Sequence, residues 1–435
     1  MSQAVKLLSI CHNHPDLHPG GTEIFSHGLF QELKAHGVEG LYVACVDKLH
    51  RGRLPGTLLQ AVGRAPDELL LWTGHFDRFN LSQVDLHGVM LELQRLLRTY
   101  KPTVVHFHHA LLIGVEAFQL VRRTLPDAAI VLTLHDYYPI CANDGQLVTT
   151  GDRKICRAPG PDSCTRCFPD ASRDAFVMRE LFLKHAFSLV DRFLSPSEFL
   201  RDRYVEWGLP ADRIEVLRNG LRPGPVAPHR ALPPGGQRNR FAFFGHLNPF
   251  KGALVAIDAA RRVVARGAGP ISLTLHGSSD YQSDAFKAEL AKATDDTPYI
   301  HLRGRYGRDE MAALMADADW VIVPSIWFEN APLVIQEAFH HKRPVICSGM
   351  GGMAEAVRKG IDGLWFRAGD GAHLSEKMEA ALDPELWDRL VSGIEEPRSV
   401  SDSARDHIAL YQRVIAEAQA RRGDADPVLA AALAG

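Results

Sequence analysis

Two glutamates eight positions apart, Glu329 and Glu337, are the side chains whose type and spacing most directly suggest chemistry. Glu329 follows an apolar run at 320–323 that predicts a buried parallel strand. Glu337 lies in a segment with helical character. Two carboxylates near one strand end can accept hydrogen bonds from the hydroxyl groups of a sugar. The alternative is that both are ordinary loop and helix residues, and this segment alone does not choose between them.

A helix predicted at 331–341 would bring a second binding feature to the same place. Asn330 is a candidate N-cap, and Pro332 suits the first turn, where a missing N–H costs nothing. The first turn, with Ala331 and Leu333, would present free backbone N–H groups and the positive end of the helix dipole. These groups favour a negatively charged ligand such as a phosphate. All four residues are therefore candidate ligand-binding residues.

A second phosphate-type pattern follows the strand predicted at 241–244. Gly245 provides a turn, and Lys251 stands where the next helix begins. A lysine and a helix N-terminus could therefore contact the same phosphate. The alternative for Lys251 is an ordinary exposed lysine.

The N-terminal part of the chain contains further candidates. Gly20 and Gly21 precede a helix predicted at 23–36, and adjacent glycines let the backbone approach an anion closely. Glycine pairs are also common in turns that bind nothing. His135 ends the strand predicted at 130–135, so its side chain is expected at the carboxyl edge of a sheet. A purely structural histidine is the alternative.

Three histidines, His106, His108 and His109, end the neighbouring strand. Side chains alternate along a strand, so His106 and His108 should share one face while His109 points to the other. This separation disfavours a shared metal ion. We therefore interpret the three histidines as a polar wall of a ligand cleft.

Four cysteines, Cys141, Cys156, Cys164 and Cys167, fall in a long irregular segment at 137–171. The last two form a C-x2-C pair, and four thiolates suit tetrahedral zinc. The other spacings are less regular than those of two paired zinc knuckles. Structural zinc, unliganded thiols, and an iron–sulfur cluster or disulfide remain open alternatives.

Strand and helix patterns alternate along two stretches of the chain, which predicts two doubly wound, Rossmann-like α/β domains. With 435 residues the chain is long enough for two such domains. Ligands of these sheets bind at the carboxyl ends of the strands, so a cleft between the domains is expected. The predicted boundaries are 1–220 for the first domain, 221–237 for a linker, 238–396 for the second domain, 397–421 for a C-terminal helix and 422–435 for a flexible tail.

Composition and charge restrict the functional class. The chain is 46% hydrophobic and 23% charged, which is typical of globular domains with full cores. Its formal net charge of −3 argues against a protein that binds nucleic acid by bulk phosphate attraction. Apolar runs as long as a membrane span and the layout of a signal peptide are both missing from the sequence. We therefore expect a cytoplasmic protein, with at most peripheral contact at the inner face of the membrane.

Four motifs occur in a fixed order: G-G-T-E at 20–23, T-x-H-D at 133–136, G-x-L-x-x-x-K-G at 245–252 and E-x7-E at 329–337. Together they resemble the motifs of retaining GT-B glycosyltransferases, especially glycosyltransferase family 4, and the resemblance covers nearly the whole chain. It implies transfer of a glycosyl group, such as a hexosyl group, from a nucleoside-diphosphate sugar to an acceptor hydroxyl. It also implies that catalysis needs no metal or other cofactor.

The resemblance assigns roles to the candidate residues. The first domain would take the acceptor and the second the donor, closure of the domains would assemble the site, and the C-terminal helix would cross back to the first domain. The implied reaction is a displacement on the front face of the sugar. One position departs from the family pattern, because His246 stands where relatives have arginine; a histidine lacks the bidentate fork and is only partly protonated near neutral pH. The implied catalytic residues are Glu329, Lys251, His135 and His246, and the implied donor-binding residues are Gly21, Gly245, Arg303, Asn330, Ala331, Pro332, Leu333 and Glu337.

The acceptor and two rival functions remain open. Likeness to relatives with the P-F-K-G version of the loop at 249–252 suggests bacterial surface polysaccharide or O-antigen assembly, with a glycan or lipid-linked glycan as acceptor. A nucleotide-sugar epimerase can share the architecture but needs no acceptor, and the long segment at 137–171 favours an acceptor site. A non-catalytic nucleotide- or glycan-binding protein is the third interpretation. The Glu329, Glu337 and Lys251 set argues against it, while His246 leaves it open.

Overall fold

A computed structural model of the chain describes residues 4–49, 52–63, 65–222 and 224–433, with 422–433 described as backbone only. The chain forms two compact units. Unit 1 comprises Met1–Arg222 and Arg398–Gly435, and unit 2 comprises Pro223–Pro397. Each is a Rossmann-like α/β unit with a parallel sheet, as predicted. None of the helices within these described ranges has both the length and the hydrophobicity needed to cross a membrane.

Unit 1 alternates strands and helices because short apolar runs alternate with amphipathic segments. The run at 129–133 is buried throughout and forms an interior strand, whereas the helix at 89–100 buries one stripe of side chains. Its elements are β1 (Lys6–His12), α1 (Gly21–Ala35), β2 (Glu39–Val46), β3 (Leu59–Val62), β4 (Ala65–Trp72), β5 (Phe76–Asp77), β6 (Ser82–Gln83), α2 (Val89–Tyr100), β7 (Val104–Phe107), α3 (Glu116–Thr124), β8 (Ala129–Thr133), α4 (Pro161–Cys167), α5 (Arg173–Ser188), β9 (Arg192–Ser195), α6 (Glu198–Trp207) and β10 (Ile214–Val216).

The main sheet of unit 1 has eight strands in the order β10-β9-β8-β7-β1-β2-β4-β3. All neighbours are parallel except β3, which pairs antiparallel with β4 at the edge. The strand order reverses at β1, which lies between β7 and β2. Ligands of doubly wound sheets bind beside such a reversal, at the carboxyl ends of the strands. The loops that follow β1, β7 and β8, which contain most of the histidines discussed below, begin at this edge.

Unit 2 has a six-stranded, fully parallel sheet in the order β13-β12-β11-β14-β15-β16. Its strand order reverses between β11 and β14, and the two phosphate-type motifs follow these two adjacent strands. The elements are β11 (Arg240–Phe244), α7 (Ala253–Ala265), β12 (Ser272–His276), α8 (Asp284–Thr294), β13 (Ile300–Gly304), α9 (Met311–Ala316), β14 (Trp320–Val323), α10 (Leu333–His340), β15 (Val345–Ser348), α11 (Gly351–Ala356), β16 (Gly363–Phe366), α12 (Gly371–Ala380) and α13 (Pro384–Gly393).

The proline-rich segment predicted as a linker at 221–237 packs onto unit 2 from residue 224 onward. The Ala227 N–H donates to Nδ1 of His341 over 3.0 Å, and Nη2 of the buried Arg343 donates to the carbonyl of Pro228 over 2.6 Å. Prolines have no N–H to donate, so a buried guanidinium satisfies carbonyl groups in this segment. Residues 224–237 are therefore packed as part of unit 2, whereas Leu221 and Arg222 belong to unit 1.

The C-terminal helix α14 (Val400–Leu433) belongs to unit 1. Tyr411 and Leu29 of α1 share one buried cluster, and the Tyr411 hydroxyl lies 2.7 Å from Nδ1 of His106. The helix continues through 422–433, where the sequence analysis places a flexible tail. Alanine-rich composition favours helix over coil, which accounts for the difference. The last two residues lie outside the described part of the chain.

Candidate functional site

Glu329 is a buried carboxylate in the loop between β14 and α10, with three hydrogen bonds on one oxygen. Its Oε1 atom accepts from Nζ of Lys251, Oγ of Ser325 and Nε1 of Trp327, each over 2.7 Å. The Lys251 contact is also an ion pair, and its ammonium lies 5.6 Å from the centre of the Trp327 ring. The carboxylate is thus fixed in orientation, and its second oxygen, Oε2, takes no part in these three bonds.

Two glycines hold the loop that carries Glu329. A Cβ on Gly252 would lie 1.9 Å from the carbonyl oxygen of Pro324, and one on Gly352 would lie 1.7 Å from that of Asn330. The Gly352 N–H donates to the Glu329 carbonyl over 2.7 Å. Only glycine allows both approaches, because any side chain would collide with backbone. The loop is therefore held at both ends by the starts of α7 and α11.

Helix α10 begins later than predicted. It runs from Leu333 to His340, and Pro332 precedes it with extended backbone (φ −66°, ψ 115°). Asn330 is therefore not its N-cap, and Pro332 is not in its first turn. Among the described side chains none caps this helix start, so no side chain competes with a ligand for its first N–H groups, although the Ile335 N–H donates to the Pro332 carbonyl over 3.1 Å. Ala331 and Pro332 are partly exposed beside it.

Glu337 lies one turn into α10 and is partly buried. Burial raises the pKa of its carboxyl, and the positive charge of Arg308 partly offsets this increase. The Glu337 charge and burial likewise raise the pKa of Tyr306. Within the described chain no protein group donates a hydrogen bond to the Glu337 carboxylate, in contrast to Glu329. A half-buried carboxylate with so little compensation would gain from hydroxyl donors on a ligand.

Lys251 is positioned by Asn248, a residue that the sequence analysis does not single out. The Asn248 side chain accepts from the N–H groups of Phe250 and Lys251, each over 2.9 Å, and so caps a short helical turn at 249–251. An asparagine before proline is a recognisable helix-start signal. This turn directs Lys251 to Glu329.

The glycine turn after β11 depends on close backbone contact. Gly245 has a φ of 140°, and a Cβ on Gly277 would lie 1.8 Å from its carbonyl oxygen. His246 follows directly and is exposed. Surrounding protein lowers the pKa of the His246 imidazole, and the charges of Lys251 and Arg305 lower it further. In the absence of an anionic ligand, His246 is therefore a poor substitute for a permanently charged arginine.

Arg303 is exposed near the end of β13, which is the edge strand of the unit 2 sheet. Its charge contributes to the lowered pKa of His276 on the adjacent strand, after the larger effect of burial. The His276 ring stacks on Phe244 with 4.8 Å between centroids and 8° between planes. The role of Arg303 toward a nucleotide base stays a prediction.

In unit 1, α1 begins at the exposed Gly21, with Gly20 as N-cap and without a cap from any described side chain. Glu23, in the first turn, is buried and lies 3.4 Å from Nε2 of His12. Burial raises the pKa of Glu23 to about 7, even though hydrogen bonds, including one from Asn13, lower it. The glycine pair thus opens a helix whose first acidic side chain titrates near neutral pH.

The predicted histidine wall is a connected network of imidazoles. His108 Nδ1 lies 3.3 Å from His135 Nε2, and His106 bonds to Thr133 and Tyr411 over 2.7 Å each. Burial lowers the pKa of His106, His108 and His135 well below the usual value, and neighbouring imidazoles lower it further. These groups are therefore neutral donors and acceptors at physiological pH.

His109 lies apart from this network, as the alternation of side chains predicts. Its Nε2 lies 2.6 Å from Oδ2 of Asp136, and its Nδ1 accepts from the Leu111 N–H over 2.7 Å. Burial opposes ionisation of Asp136, but the charge and hydrogen bond of His109 outweigh it and lower the pKa of that carboxyl. This histidine–carboxylate pair links the chain just after β7 to the chain just after β8.

The four cysteines of the segment at 137–171 are free thiols that lie near one another. Burial raises the pKa of Cys141 and Cys156, and the neighbouring Cys164 raises both further. The C-x2-C pair lies on the short helix α4. Across the described residues, three of these sulfur atoms do not gather within 4.8 Å of one another. Zinc at this position stays a prediction.

The structure brings part of the predicted set together. In unit 2, Lys251 and Glu329 are in direct contact, and Glu337 follows one turn into the next helix. In unit 1, His135 joins the histidine network, and Gly21 opens α1. Sequence reasoning missed the residues that orient these groups, namely Asn248, Ser325, Trp327 and Asp136.

Two family models match the chain, one in each unit. The model described as "Glycosyltransferase Family 4" matches residues 19–224, and the model described as "Glycosyl transferases group 1" matches residues 238–383. Together they cover most of the chain. The first contains the candidate residues of unit 1 from Gly21 to His135, and the second contains those of unit 2 from Gly245 to Glu337.

Curated relatives agree with this match. A D-inositol 3-phosphate glycosyltransferase of Nocardia farcinica is 30% identical over 220 residues, which are 47% of this chain and 48% of the relative. An amylovoran biosynthesis glycosyltransferase of Erwinia amylovora is 26% identical over 341 residues, covering 71% of this chain and 80% of the relative. The chain spans about half the length of the first curated relatives it matches.

Solved structures of similar fold extend the comparison to nearly the whole chain. Anabaena HepE in complex with UDP and glucose has a TM-score of 0.62 and 16% identity, over 93% of this chain and 99% of that chain. The catalytic domain of Arabidopsis thaliana starch synthase IV with ADP and acarbose has a TM-score of 0.66 and 16% identity, over 95% and 100%. At this identity the likeness establishes the fold. With its two matched domains, the chain belongs to the glycosyltransferases of the family 4 and group 1 type, in the GT-B fold.

Proposed function

We propose that the protein is a retaining glycosyltransferase that moves a glycosyl group from a nucleoside-diphosphate sugar to an acceptor hydroxyl. The observation that carries this proposal is the Glu329–Lys251 pair beside the uncapped start of α10, with Glu337 one turn further. Glu329 suits the sugar of such a donor, Lys251 and the helix start suit its diphosphate, and Glu337 suits its ribose.

Glu337 is proposed to bind the ribose hydroxyls. Its carboxylate is partly buried with a raised pKa, and two adjacent hydroxyl groups would supply the donors that the protein does not. A hydrogen bond to a charged group contributes about 1.5–3 kcal/mol. Donor binding should therefore depend strongly on this side chain.

Lys251 and the start of α10 are proposed to stabilise charge on the departing diphosphate. Preorganised charge of this kind is usually the largest single contribution to catalysis. The diphosphate would also raise the pKa of His246, which burial and then the neighbouring cations lower in the ligand-free protein. Arg305, one of those cations, offers a permanent charge near the position where relatives carry arginine.

Glu329 is proposed to hold the donor sugar. Because Lys251, Ser325 and Trp327 all bind Oε1, the Oε2 atom can accept from a sugar hydroxyl without loss of its orientation. Attack and departure would take place on the same face of the sugar. The reaction is proposed to proceed without a catalytic metal.

The acceptor is proposed to be a glycan or lipid-linked glycan in bacterial surface polysaccharide assembly, bound by unit 1. Two relatives support this class: the amylovoran biosynthesis glycosyltransferase of Erwinia amylovora and a lipopolysaccharide 1,2-N-acetylglucosaminetransferase of Salmonella typhimurium. The neutral histidines His108 and His135 can donate to and accept from sugar hydroxyls.

Nucleotide binding tests the donor site directly. UDP, GDP, ADP and dTDP would be titrated calorimetrically into wild type, Glu337→Gln and the control Glu289→Gln, which removes an exposed carboxylate of α8 in the same unit. One nucleotide should bind wild type and the control equally, and Glu337→Gln roughly tenfold to a hundredfold more weakly. Equal affinity in all three proteins would reject the ribose role.

Product analysis then separates transfer from epimerisation. The sugar nucleotide of the selected base would be incubated with the protein and candidate oligosaccharide acceptors. Release of nucleoside diphosphate together with an α-linked product from an α-linked donor would support retaining transfer. Conversion of the donor into an epimer without release of diphosphate would support the alternative function.

A further inference from the structure

Three side chains in unit 1 form a compact cluster on the β4 side of β1. They are His14 in the loop after β1, His27 on α1 and Glu68 on β4. His14 Nε2 lies 3.1 Å from Glu68 Oε2, and His27 Nε2 lies 3.2 Å from Glu68 Oε1. One ligand atom from each residue can be chosen so that all lie within 4.8 Å of one another. This is the one such grouping of three potential metal ligands among the described residues.

The surroundings hold these three groups in a packed, largely buried environment. His14 and Glu68 are buried, at 1% and 6% exposure, while His27 is partly exposed. The two imidazole rings lie edge to face, with 5.0 Å between centroids, and both contact the ring of Tyr42. Burial lowers the pKa of His27, although Glu68 partly offsets the effect, and a neutral imidazole has a lone pair to give to a metal.

We propose that His14, His27 and Glu68 bind a divalent zinc ion, with water as the fourth ligand. Zinc takes nitrogen and carboxylate ligands at about 2.0–2.2 Å in a tetrahedron. Neighbouring ligand atoms of such a tetrahedron are about 3.3 Å apart, and each imidazole nitrogen lies at a similar distance from one of the two Glu68 oxygens. Two imidazoles and one carboxylate are a ligand set that zinc favours over magnesium or calcium, which prefer oxygen.

Metal binding requires the Nε2 proton of each imidazole to move, because both nitrogens face a Glu68 carboxylate oxygen. The Asp16 N–H donates to His14 Nδ1 over 3.2 Å, so in the described state Nε2 of His14 carries the proton and donates to Glu68. Zinc would take the Nε2 lone pair of His14, the proton would then reside on Nδ1, and the Asp16 N–H would give up its bond to that nitrogen. The exposed Asp16 carboxylate, with Oδ2 at 3.6 Å, can accept that N–H. Gln31 donates to Glu68 Oε1 and would keep the carboxylate oriented.

The ion would join three elements and fix the loop that leads to the glycine pair. His14 is two residues from His12, and its carbonyl accepts from the N–H groups of Leu17 and His18 over 2.9 Å each. A metal at His14 would therefore anchor the turn that delivers Gly20 and Gly21 to the start of α1. We assign the site a structural role, which does not depend on the identity of the glycosyl donor.

Metal content of the full chain tests the proposal. Protein stripped with chelator and freed from it would be titrated with zinc, and bound zinc would be measured by mass spectrometry for wild type, Glu68→Gln, His27→Gln and the exposed control His87→Gln. Glu68→Gln and His27→Gln should each weaken one equivalent of zinc by more than about tenfold, and His87→Gln should not. Unchanged zinc affinity in both cluster variants would overturn the proposal.

Cobalt separates this site from the cysteine segment. Cobalt bound by nitrogen and oxygen gives visible bands alone, whereas thiolate ligands add a strong near-ultraviolet charge-transfer band. Wild type should show visible bands that Glu68→Gln removes and that Cys164→Ser leaves in place. Loss of all cobalt bands in Cys164→Ser, with retention in Glu68→Gln, would place the only metal at the cysteines and contradict the proposal.

Discussion

The two units build their candidate sites from opposite electrostatics. In unit 2 a carboxylate meets an ammonium directly, with 2.7 Å between Glu329 and Lys251. In unit 1 imidazole meets imidazole, with 4.1 Å between the ring centroids of His106 and His108. The first site holds permanent charge, while the second suppresses it, because burial lowers the pKa of the histidines.

This difference follows from what each site would bind. A diphosphate is a permanent anion, so a fixed cation and helix N–H groups suit it. An acceptor hydroxyl is neutral, and neutral imidazoles can both donate to it and accept from it. The stability of unit 1 should therefore depend on pH. The activity supported by unit 2 should instead depend on single charged side chains, and should fall when one of them is removed.

The largest expected effect is on turnover in the Lys251→Met variant. This variant removes the fixed cation that would stabilise the departing diphosphate. We therefore expect kcat to fall by roughly 10²–10³. The measurement is release of nucleoside diphosphate from the donor selected by binding. Lys359→Met, an exposed lysine of unit 2, is the matched control.

The same variant also leaves Glu329 without its partner, and a double variant separates the two causes. Lys251→Met with Glu329→Gln removes both charges. If the unpaired carboxylate caused the loss, the double variant would recover turnover. Recovery to within about tenfold of Glu329→Gln alone would contradict the role of Lys251 at the diphosphate.

The next effect is acid destabilisation through His407. Burial lowers the pKa of this histidine to about 4, and its Nδ1 donates to the Ser403 carbonyl over 2.7 Å. The unfolded chain binds a proton near pH 6.5, whereas the folded protein does so near pH 4. The free energy of unfolding should therefore fall by roughly 3 kcal/mol for this group as the pH drops across that window, and stay constant above it.

Denaturant unfolding of the full chain at several pH values between 4 and 7 would measure this slope. His407→Asn keeps a donor near the position of Nδ1 but cannot titrate. Its free energy of unfolding should therefore change less steeply with pH, by the contribution of one proton. His185→Asn, at an exposed position of α5, should keep the wild-type slope. A wild-type slope in His407→Asn would show that this histidine does not stay neutral.

Glu23 should act with the opposite sign. Burial raises its pKa to about 7 from an ordinary value of 4.5, so the folded protein holds a proton that the unfolded chain has lost. Its contribution is present below pH 4.5 and is lost as the pH rises through 7, by up to roughly 3 kcal/mol. Glu23→Gln imitates the protonated acid and should gain stability relative to wild type between pH 5 and pH 8.

The comparison uses Glu32→Gln, a partly exposed position on the same helix. Between pH 5 and pH 8, the difference in free energy of unfolding between Glu32→Gln and wild type should stay nearly constant. If Glu23→Gln and Glu32→Gln give parallel curves, the carboxyl of Glu23 ionises normally in the folded protein.

The sequence predicts the fold and the charged motif residues well, for a physical reason. Buried parallel strands require apolar runs, and a phosphate-type turn requires glycine at fixed positions, so both leave local signals. The alternation of strands and helices therefore gives the fold class, and the sequence singles out Lys251 and Glu329, although it does not show that they are in contact. Local signals also explain the error at α10, since Asn330 and Pro332 are good helix-start residues that the tight turn near Gly352 keeps outside the helix.

Contacts between distant segments leave no such signal. His14, His27 and Glu68 lie on three elements, and their sequence spacing does not reveal that they meet. The burial that lowers the pKa of His407 depends on the packing of α14 onto unit 1. The same holds for the linker, whose prolines predict a connection, while Arg343 from a distant segment binds it to unit 2.

The smallest expected effect tests how firmly Glu329 is oriented. Trp327→Phe removes one of the three hydrogen bonds on Oε1 and leaves those from Lys251 and Ser325. Loss of one such bond should cost about 1–2 kcal/mol, and the ammonium should keep the carboxylate near its position. Turnover should therefore fall about tenfold, with nucleotide affinity unchanged because Glu337 is not altered. Ser325→Ala should behave alike, since it removes an equivalent bond. A loss as large as that of Lys251→Met would show that orientation, and not charge, dominates in unit 2, and would remove the contrast with unit 1.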